Sequence, residues 1–359
     1  MITLGLCLIV KNEEKVLKNC LQSVCDIVDE IIIVDTGSID GTINIAKEFT
    51  DKIYNFKWID DFSAARNYSF SKATSDYIFW LDADDILKEE DRMKLKLLKE
   101  NLDFSYDAVS MIYNYAFNEV GKPTLTFRRN RIVKREKDFR WIGFIHEYIA
   151  VEGKIFESDI SVSHMRTHSS TDRNINIFRN KIRKGYILNS RDTYYYGKEL
   201  YYNNLYDDAV DVLNKVINMD GWYEEKIQAL ICIADIYLYR KLFGKLREVC
   251  YKTFEFDTPR AEVLYRIALS YQEEERYLQA ISWYKIITHL EKPKSDYGFI
   301  YDEYWTWLPH LQLCVCYYKV NQIEKSFEHN ELAYKFNPCN KSILDNFEFF
   351  KSLGISSNL

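Results

Sequence analysis

The sequence predicts an α/β domain followed by an all-α domain of helical repeats. Short apolar runs alternate with helical patterns from Ile2 to Leu81, which is typical of βαβ units and a mainly parallel sheet. Two later segments, Val109–Phe117 and Thr124–Val133, alternate apolar with polar residues and indicate strands that complete a mixed sheet. From Tyr194 the pattern changes to paired helices. We therefore predict one domain at residues 1–190 and a second at residues 191–359.

Composition excludes several classes of protein. The chain has 359 residues, of which 28% are charged, and its net charge of −6 argues against a broad nucleic-acid-binding surface. The first apolar run has no basic segment before it and ends at Lys11, which indicates a strand and not a signal peptide. No apolar run reaches the ~18 residues of a membrane span. The eight cysteines include no CxxC pair, so we expect reduced thiols in a soluble, cytoplasmic protein.

The first 81 residues are predicted to form four strands separated by three helices. The strands are expected at Ile2–Val10, Glu30–Val34, Ile53–Phe56 and Tyr77–Leu81, and the helices at Lys11 to about Cys25, Thr42 to about Phe49, and Ala64–Ala73. No GxGxxG follows the first strand and no GxxxxGK[ST] is present. The sequence therefore excludes the dinucleotide-binding and P-loop motifs.

Three carboxylates follow the fourth predicted strand in the stretch YIFWLDADD. Asp82, Asp84 and Asp85 come directly after the apolar run that ends at Leu81. Open α/β sheets bind their ligands at the carboxyl ends of parallel strands. Carboxylates spaced in this way can hold a hard divalent cation that bridges a diphosphate. The alternative is an acidic turn that only ends the strand.

Four strings in the first 85 residues occur in the order and spacing of a known family. They are LIVKNEE at Leu8–Glu14, IIIVDTGSIDGT at Ile31–Thr42, DDFSAARN at Asp60–Asn67 and WLDADD at Trp80–Asp85. Together they resemble the nucleotide-sugar half of a family-2 inverting glycosyltransferase with the GT-A fold. FRWIGFIHE at Phe139–Glu147 and the isolated His164 are similar to a subgroup with tetratricopeptide repeats behind the transferase domain, which includes the sublancin-type peptide S-glycosyltransferases. The resemblance covers about the first 190 residues.

The resemblance implies a nucleotide site built from four residues. It makes Asp35 the carboxylate that recognises the base, and Glu13 a contact of the ribose or base. Asp61 and Arg66 fall in a segment that lines the nucleotide pocket, where the planar guanidinium of Arg66 could neutralise diphosphate charge. The alternatives are a turn or cap residue for Asp35, a solvated start of a helix for Glu13 and a surface residue for Arg66.

The resemblance also implies a metal site. Asp84 is expected to touch Mg²⁺ or Mn²⁺ directly, and Asp82 to meet the ribose, or the metal through water. His164 resembles a histidine that completes the metal shell in related enzymes, although a lone histidine is more often structural. The cation would stabilise the charge of the leaving diphosphate by Lewis acidity.

Inverting transfer requires a base on the acceptor side. Glu147 falls in a loop after Trp141 and Gly143, and we predict that it is this base. A structural or acceptor-binding role is the alternative. A cysteine acceptor would need less help, because a thiolate forms readily.

Two basic segments have weaker interpretations. One cluster could face phosphates, but we favour a solvated edge that prevents aggregation; it comprises Arg128, Arg129, Arg131, Lys134 and Arg135. A basic helix at Asn174–Leu188 is predicted to connect the two domains.

The second half carries small and aromatic residues at tetratricopeptide-like spacing. Three copies are discernible: Gly197, Tyr201, Tyr206, Ala209 and Leu213; Leu264, Ala268, Tyr271, Tyr277, Ala280 and Tyr284; and Leu311, Cys314, Tyr318, Ile323, Ser326 and Ala333, closing with Pro338. Ala229–Leu246 supplies a divergent pair, and Lys292–Gly298 reads as a loop. Such stacks present a groove that suits a peptide, a partner subunit or a second copy of the chain in a homodimer.

The sequence thus favours a metal-dependent transferase that moves a hexose from a UDP-sugar to a peptide or protein side chain, Cys or Ser/Thr. The repeats would hold the acceptor. Two alternatives stay open: an acceptor that is a cell-envelope or lipid-linked glycan, and a repeat scaffold without catalytic activity. The grouped carboxylates Asp35, Asp82 and Asp84 argue against the scaffold.

Overall fold

The computed structural model describes residues 1–117, 121–165, 172–292 and 300–355. The chain forms two compact units, residues 1–171 with 296–300 and residues 172–295 with 301–359. The division falls between Met165 and Asp172, about twenty residues before the predicted boundary at 190, because the predicted connecting helix groups with the helical unit. The loop predicted at Lys292–Gly298 lies, apart from Lys292, outside the described residues.

The strands are two to twelve residues long. They are β1 (Leu4–Val10), β2 (Glu30–Asp35), β3 (Ile53–Asn55), β4 (Tyr77–Trp80), β5 (Asp85–Ile86), β6 (Ala108–Phe117), β7 (Pro123–Lys134), β8 (Trp141–Ile142), β9 (Tyr148–Ile149), β10 (Ile155–His164) and β11 (Ile300–Tyr301).

Four helices lie between β1 and β6 along the chain, and the others follow β10. The first four are α1 (Leu17–Gln22), α2 (Thr42–Ala46), α3 (Phe62–Phe70) and α4 (Glu89–Asn101). The later helices are α5 (Arg173–Arg183), α6 (Ser190–Tyr202), α7 (Tyr206–Asn218), α8 (Tyr223–Tyr239), α9 (Phe243–Lys252), α10 (Ala261–Glu273), α11 (Tyr277–Ile287), α12 (Asp302–Trp305), α13 (Trp307–Lys319), α14 (Ile323–Phe336) and α15 (Lys341–Ser352). Short 3₁₀ turns lie at Arg135–Lys137 and Thr253–Glu255.

The main sheet is mixed, as predicted. Eight of its strands run in the order β3-β2-β1-β4-β7-β6-β10-β5. The pairs β1–β2, β1–β4 and β2–β3 are parallel, whereas β7 is antiparallel to both β4 and β6. The parallel half places the carboxyl ends of β1, β2 and β4 at one edge, where such sheets bind ligands. The predicted α/β fold is confirmed.

The core of the first unit lies against the faces of this sheet. Strands β1 and β4 are buried almost throughout, because helices cover both faces of the parallel part. Leu17, Cys20 and Leu21 of α1 pack with Leu6 and Phe79 of the sheet in one apolar cluster. This packing fixes the strand ends on which the functional side chains lie.

Strand β10, which the sequence pattern did not reveal, completes the site. It pairs in parallel with β6 and antiparallel with β5, and the second pairing sets His164 opposite Asp85. A histidine almost eighty residues downstream is thereby brought to the carboxylates at the end of β4.

The second unit consists of helix pairs, which confirms the predicted helical domain. The pairs are α6–α7, α8–α9, α10–α11 and α13–α14. Each turn between paired helices contains one residue with positive φ; these residues are Asn204, Lys241, Glu275 and Asn321. The next amide in each turn donates a hydrogen bond to the carbonyl five residues before it, as Leu205 does to Leu200 over 2.9 Å. This is the Schellman motif that ends a helix, and it recurs at the end of the first helix of each pair.

The predicted small residues lie where paired helices touch. A Cβ at Gly197 of α6 would lie 2.6 Å from a methyl carbon of Leu213 in α7. Ala209, Ala280 and Ser326 are fully buried. Among the described residues, no helix combines the length and apolar character that crossing a membrane requires. All eight cysteines are free thiols.

Candidate functional site

The carboxylates Asp82, Asp84 and Asp85 lie in a tight turn at the end of β4. The Asp85 amide donates to the Asp82 carbonyl over 3.0 Å, and the Asp82 amide donates to the Asp85 carboxylate over 3.0 Å. This turn points the three side chains to different partners. Two clusters result, which we call the histidine cluster (Asp84, Asp85, His164) and the arginine cluster (Arg66, Asp82, Glu147).

The histidine cluster has the donor set of a metal site. One ligand atom from each of Asp84, Asp85 and His164 lies within 4.8 Å of the others. The His164 Nδ1 atom is 3.4 Å from Asp84 Oδ1 and 3.5 Å from Asp85 Oδ1. That nitrogen is buried and has no hydrogen-bond partner among the described residues. A cation between the carboxylates and the ring would satisfy it, so these residues fit a divalent metal ion.

The same carboxylates change the proton affinity of His164. Burial opposes the charged ring, but the neighbouring Asp84 and Asp85 outweigh it and raise the pKa of His164 to about 9. Metal binding requires the neutral ring, so a bound cation would compete with this proton. The ring of Tyr115 stacks on the imidazole, with centroids 5.1 Å apart, and holds its orientation.

Asp85 is also held by a buried network that the sequence did not predict. Its carboxylate accepts a hydrogen bond from the Tyr113 hydroxyl over 2.9 Å and pairs with Arg131 over 2.9 Å. Arg131 and Asp85 are both completely buried, and the guanidinium lies 3.9 Å from the Trp80 ring centroid. The interpretation of Arg131 as part of a solvated edge is therefore wrong. Its strand, β7, is internal in the sheet, and Arg131 neutralises a buried carboxylate under the site.

The arginine cluster joins the donor-side residues to the predicted base. Arg66 donates from Nη2 to Asp82 over 2.5 Å and from Nε to Glu147 over 2.6 Å. Its guanidinium lies between the rings of Trp80 and Trp141, at 5.1 Å and 4.6 Å from their centroids. Arg66 is buried, so the surface alternative for it is wrong.

The surroundings of Asp82 favour its ionised form. Although burial opposes ionisation of Asp82, the neighbouring Arg66 and Arg131 hold its pKa well below the usual range of a carboxyl. The Asp82 side chain is 34% exposed, while the side chains of Arg66 and Glu147 are each 10% exposed. Asp82 is thus the member of the cluster that solvent, or a ligand, reaches most easily.

The three remaining predicted residues, Asp35, Asp61 and Glu13, lie at the end of a strand or in loops of the same unit. Asp35 ends β2, is buried, and accepts hydrogen bonds from the amides of Gly37 and Ser38. Asp61 caps α3 by accepting from the amide of Ala64 over 2.9 Å. The Glu13 amide donates to the Thr42 hydroxyl over 2.7 Å.

The structure therefore brings Arg66, Asp82 and Glu147 together, and brings Asp84 to His164. It does not place Asp82 in the histidine cluster, where Asp85 stands instead. Sequence reasoning grouped Asp85 with the other two carboxylates but gave it no role as a ligand, and it left Tyr113 and Arg131 out of the site. The only signal for Asp85 was its position next to Asp84, since its partners come from distant strands.

Comparisons with known proteins agree with the motifs of the first domain. Residues 6–160 match glycosyl transferase family 2, and so the N-terminal unit contains a family-2 glycosyltransferase domain. The SPbeta prophage-derived glycosyltransferase SunS of Bacillus subtilis is 32% identical over 258 residues, which cover 68% of this chain and 60% of that protein. The chain thus spans somewhat under two thirds of the length of this relative.

Other similar proteins contain tetratricopeptide repeats. A TPR repeat-containing protein of Synechococcus elongatus is 51% identical over 87 residues, which cover 24% of this chain and 22% of that protein. A solved structure of YrrB, described as a TPR protein with an unusual peptide-binding site, has 12% identity and a TM-score of 0.37. The match covers 49% of this chain and 82% of the YrrB chain.

Proposed function

From the family-2 glycosyltransferase domain at residues 6–160, we propose that this protein transfers a hexose from a UDP-sugar to a peptide or protein side chain, Cys or Ser/Thr. The observation that carries the proposal is the histidine cluster at the end of β4. It combines two carboxylates and an unsatisfied imidazole nitrogen at the sheet edge where α/β folds bind ligands.

Asp84 and His164, with Asp85 behind them, would hold Mg²⁺ or Mn²⁺ in this proposal. When bound, the cation supplies Lewis acidity that stabilises the charge of the departing diphosphate. The chain orients these ligands through the Arg131–Asp85 ion pair and the Tyr113–Asp85 hydrogen bond. Residues that bind a metal ligand from behind in this way fix its orientation and tune its basicity.

The donor would bind across the carboxyl ends of β1, β2 and β4. Asp35, at the end of β2, is suited to accept the imide N–H of uracil, and Glu13 and Asp61 lie in loops that begin at the same edge. Asp82 would contact the ribose, since its carboxylate is the more exposed one in the arginine cluster. Arg66 would bring positive charge to the diphosphate through its planar donors.

Glu147 would remove the acceptor proton. Glu147 lies on the loop that follows β8, and its carboxylate is paired with the same guanidinium that binds Asp82. A base must be positioned before its proton affinity matters, and this ion pair provides the position. The stacked helix pairs of the second unit would hold the acceptor polypeptide.

Calorimetric titration with UDP tests the donor site. We expect the wild-type protein to bind UDP with Mn²⁺ and to bind it at least about tenfold more weakly after EDTA, since a cation held by Asp84 and His164 would supply positive charge for the diphosphate. Asp84→Ala should abolish the dependence on Mn²⁺. Asp51→Ala, which removes an exposed carboxylate just before the amino end of β3, is the matched control and should bind like wild type. Metal-dependent UDP binding that survives in Asp84→Ala would disprove the assignment.

A further inference from the structure

A large cleft in the first unit shares the histidine cluster but none of the predicted donor residues. Its volume is about 1050 Å³, and Asp84 and His164 belong to its lining. Asp35, Arg66, Asp82 and Glu147 do not line it. At this volume the cleft is at the upper end of small-ligand sites, so it has room for more than a single sugar ring.

Part of the cleft wall is apolar and aromatic, between polar residues such as Asn19 and Gln22. Val16 precedes α1, Leu87 follows β5, and Tyr115 and Phe117 come from the end of β6. The Tyr115 side chain is 37% exposed although its ring stacks on His164. An aromatic ring left open beside a charged cluster can pack against an apolar side chain of a ligand.

The rim of the cleft carries positive charge that the chain itself leaves unpaired. Lys15 and Lys88 line the cleft, are exposed, and make no ion pair in the part of the chain that the structure describes. Arg92, the third cation of the lining, is engaged by Asp26, Glu89 and the carbonyl of Ser23. No carboxylate of the described residues neutralises either ammonium group, although the Lys88 Nζ atom lies 5.5 Å from the Phe117 ring centroid. Two unneutralised cations at the cleft favour an anionic ligand.

We propose that this cleft binds the acceptor: a polypeptide segment in which an apolar side chain and an acidic residue flank the residue to be glycosylated. The inference depends on the proposed function, because it assumes a donor site at the arginine and histidine clusters. An acceptor bound in the cleft would reach the donor across Asp84 and His164. The first unit would then select the acceptor itself, beside any contribution of the helical repeats.

Fluorescence anisotropy with synthetic peptides tests the cleft on the full-length protein. The probes are a labelled short peptide with a single Cys flanked by Phe and Asp, the same peptide with Ser in place of Cys, and both with Lys in place of Asp. With UDP and Mn²⁺ present, we expect the acidic peptides to bind wild type, and the double variant Lys15→Glu with Lys88→Glu to weaken this binding about tenfold. The peptides with Lys should show the reverse preference.

Lys18→Glu is the matched control. Lys18 lies in α1 near Lys15 but pairs with Glu48 and does not line the cleft, so its reversal should leave peptide affinity within about twofold. Calorimetric UDP affinity should be the same in all three proteins. Thermal unfolding of each variant checks that the exposed substitutions leave the fold intact.

Each other result contradicts the inference in a distinguishable way. Equal peptide binding by wild type and the double variant would show that the peptide lies elsewhere. UDP binding without any peptide binding would exclude a peptide in the cleft and point to a glycan acceptor, with the donor site intact. Weaker UDP binding in the double variant would make the cleft part of the donor site. Failure of wild type to bind UDP would remove the proposed function and the inference together.

Discussion

Three aspartates within four positions have different partners in this site. Asp82 pairs with Arg66, Asp84 lies beside His164, and Asp85 is buried against Arg131. Like charges so close together would repel, and each would lose solvation, if they shared one environment. The separate partners, Arg66 for Asp82, His164 for Asp84 and Arg131 for Asp85, reduce this repulsion. The DADD stretch therefore supports two clusters and not a single acidic patch.

The role of Glu147 as the base predicts a specific kinetic defect. Glu147→Gln keeps the size of the side chain and its ability to accept from Arg66 but cannot take a proton. We expect UDP affinity to stay within a few-fold of wild type while transfer to a hydroxyl acceptor slows by about 10²–10⁴-fold. Glu152→Gln, an exposed position in the next loop, between β9 and β10, is the control and should transfer at the wild-type rate.

Single-turnover transfer from a UDP-sugar to a Ser peptide and to its Cys counterpart separates the explanations. A smaller defect with the Cys peptide is expected, because a thiolate needs less help from a base. Unchanged transfer to the Ser peptide would exclude Glu147 as the base. An equal loss of UDP affinity would show that Glu147 acts by holding Arg66.

Much of the site could be predicted from the sequence, and the missing part has a physical reason. Asp84 and Asp82 follow an apolar strand directly, so their place at the sheet edge comes from a local pattern. The buried pair of Arg131 with Asp85 depends on β7 running antiparallel beside β4, a long-range pairing that no local pattern records. Arg131 was assigned to a solvated edge because charged residues are rarely fully buried unless paired.

The predictions agreed best with the structure for helices and strands that have a strong local sequence pattern. Strand β2 and helix α2 begin where the sequence predicted, and the four strands of the parallel part were all present. Helix α1 is shorter than predicted, because the segment from Lys11 to Val16 forms a loop and turn at the end of β1. The short strands β5, β8 and β9 were not predicted, because two residues are too few to show an alternating pattern.

The contact between α6 and α7 predicts that one glycine is essential for the repeat. In Gly197→Ala the new methyl group would meet the buried Leu213 at 2.6 Å, and we expect a loss of about 1–3 kcal/mol in the free energy of unfolding. Gly244→Ala in α9 is the matched control, because nothing lies within 4 Å of its Cβ position. That change should raise stability by up to about 1 kcal/mol, since alanine favours a helix over glycine.

Urea unfolding followed by circular dichroism at a helix wavelength measures both variants. Opposite signs for the two substitutions are expected, because they share the same gain in helix propensity and differ only in the contact. A Gly197→Ala protein as stable as Gly244→Ala would show that α6 and α7 can move apart freely, contrary to the packed interface described for this pair.

At the scale of the whole molecule, the two units have separate cores. Their buried histidines also have pKa values shifted in opposite directions. The cluster around Leu6 and Phe79 belongs to the first unit, whereas the clusters around Leu264 and Leu213 belong to the second. His164 is in the first unit. His310 and His329 lie in α13 and α14 of the second, with their Nδ1 atoms 2.9 Å apart. The pH dependence of stability should therefore differ between the units.

The direction of each dependence follows from the pKa values. Burial, together with the neighbouring His329 for one ring and Lys285 for the other, lowers the pKa of His310 and of His329 to about 4. The unfolded chain, with histidine pKa values near 6.5, then binds more protons than the folded unit below pH 6.5. Stability of the second unit should fall as the pH falls from about 6.5 towards 4. His164, with its pKa raised to about 9, contributes stability fully below pH 6.5 and loses it as the pH rises through 9.

Hydrogen exchange at graded pH in EDTA, corrected for the intrinsic exchange rate, tests this division on the full chain. Between pH 6.5 and 5, helices α13 and α14 should lose on the order of 1–2 kcal/mol of protection free energy per histidine. Strands β5 and β10 should lose protection only between pH 6.5 and 9. His310→Gln with His329→Gln should remove the first effect alone, and His164→Gln the second alone. If one histidine variant removed both effects, the two units would be unfolding as one cooperative structure, contrary to their separate cores.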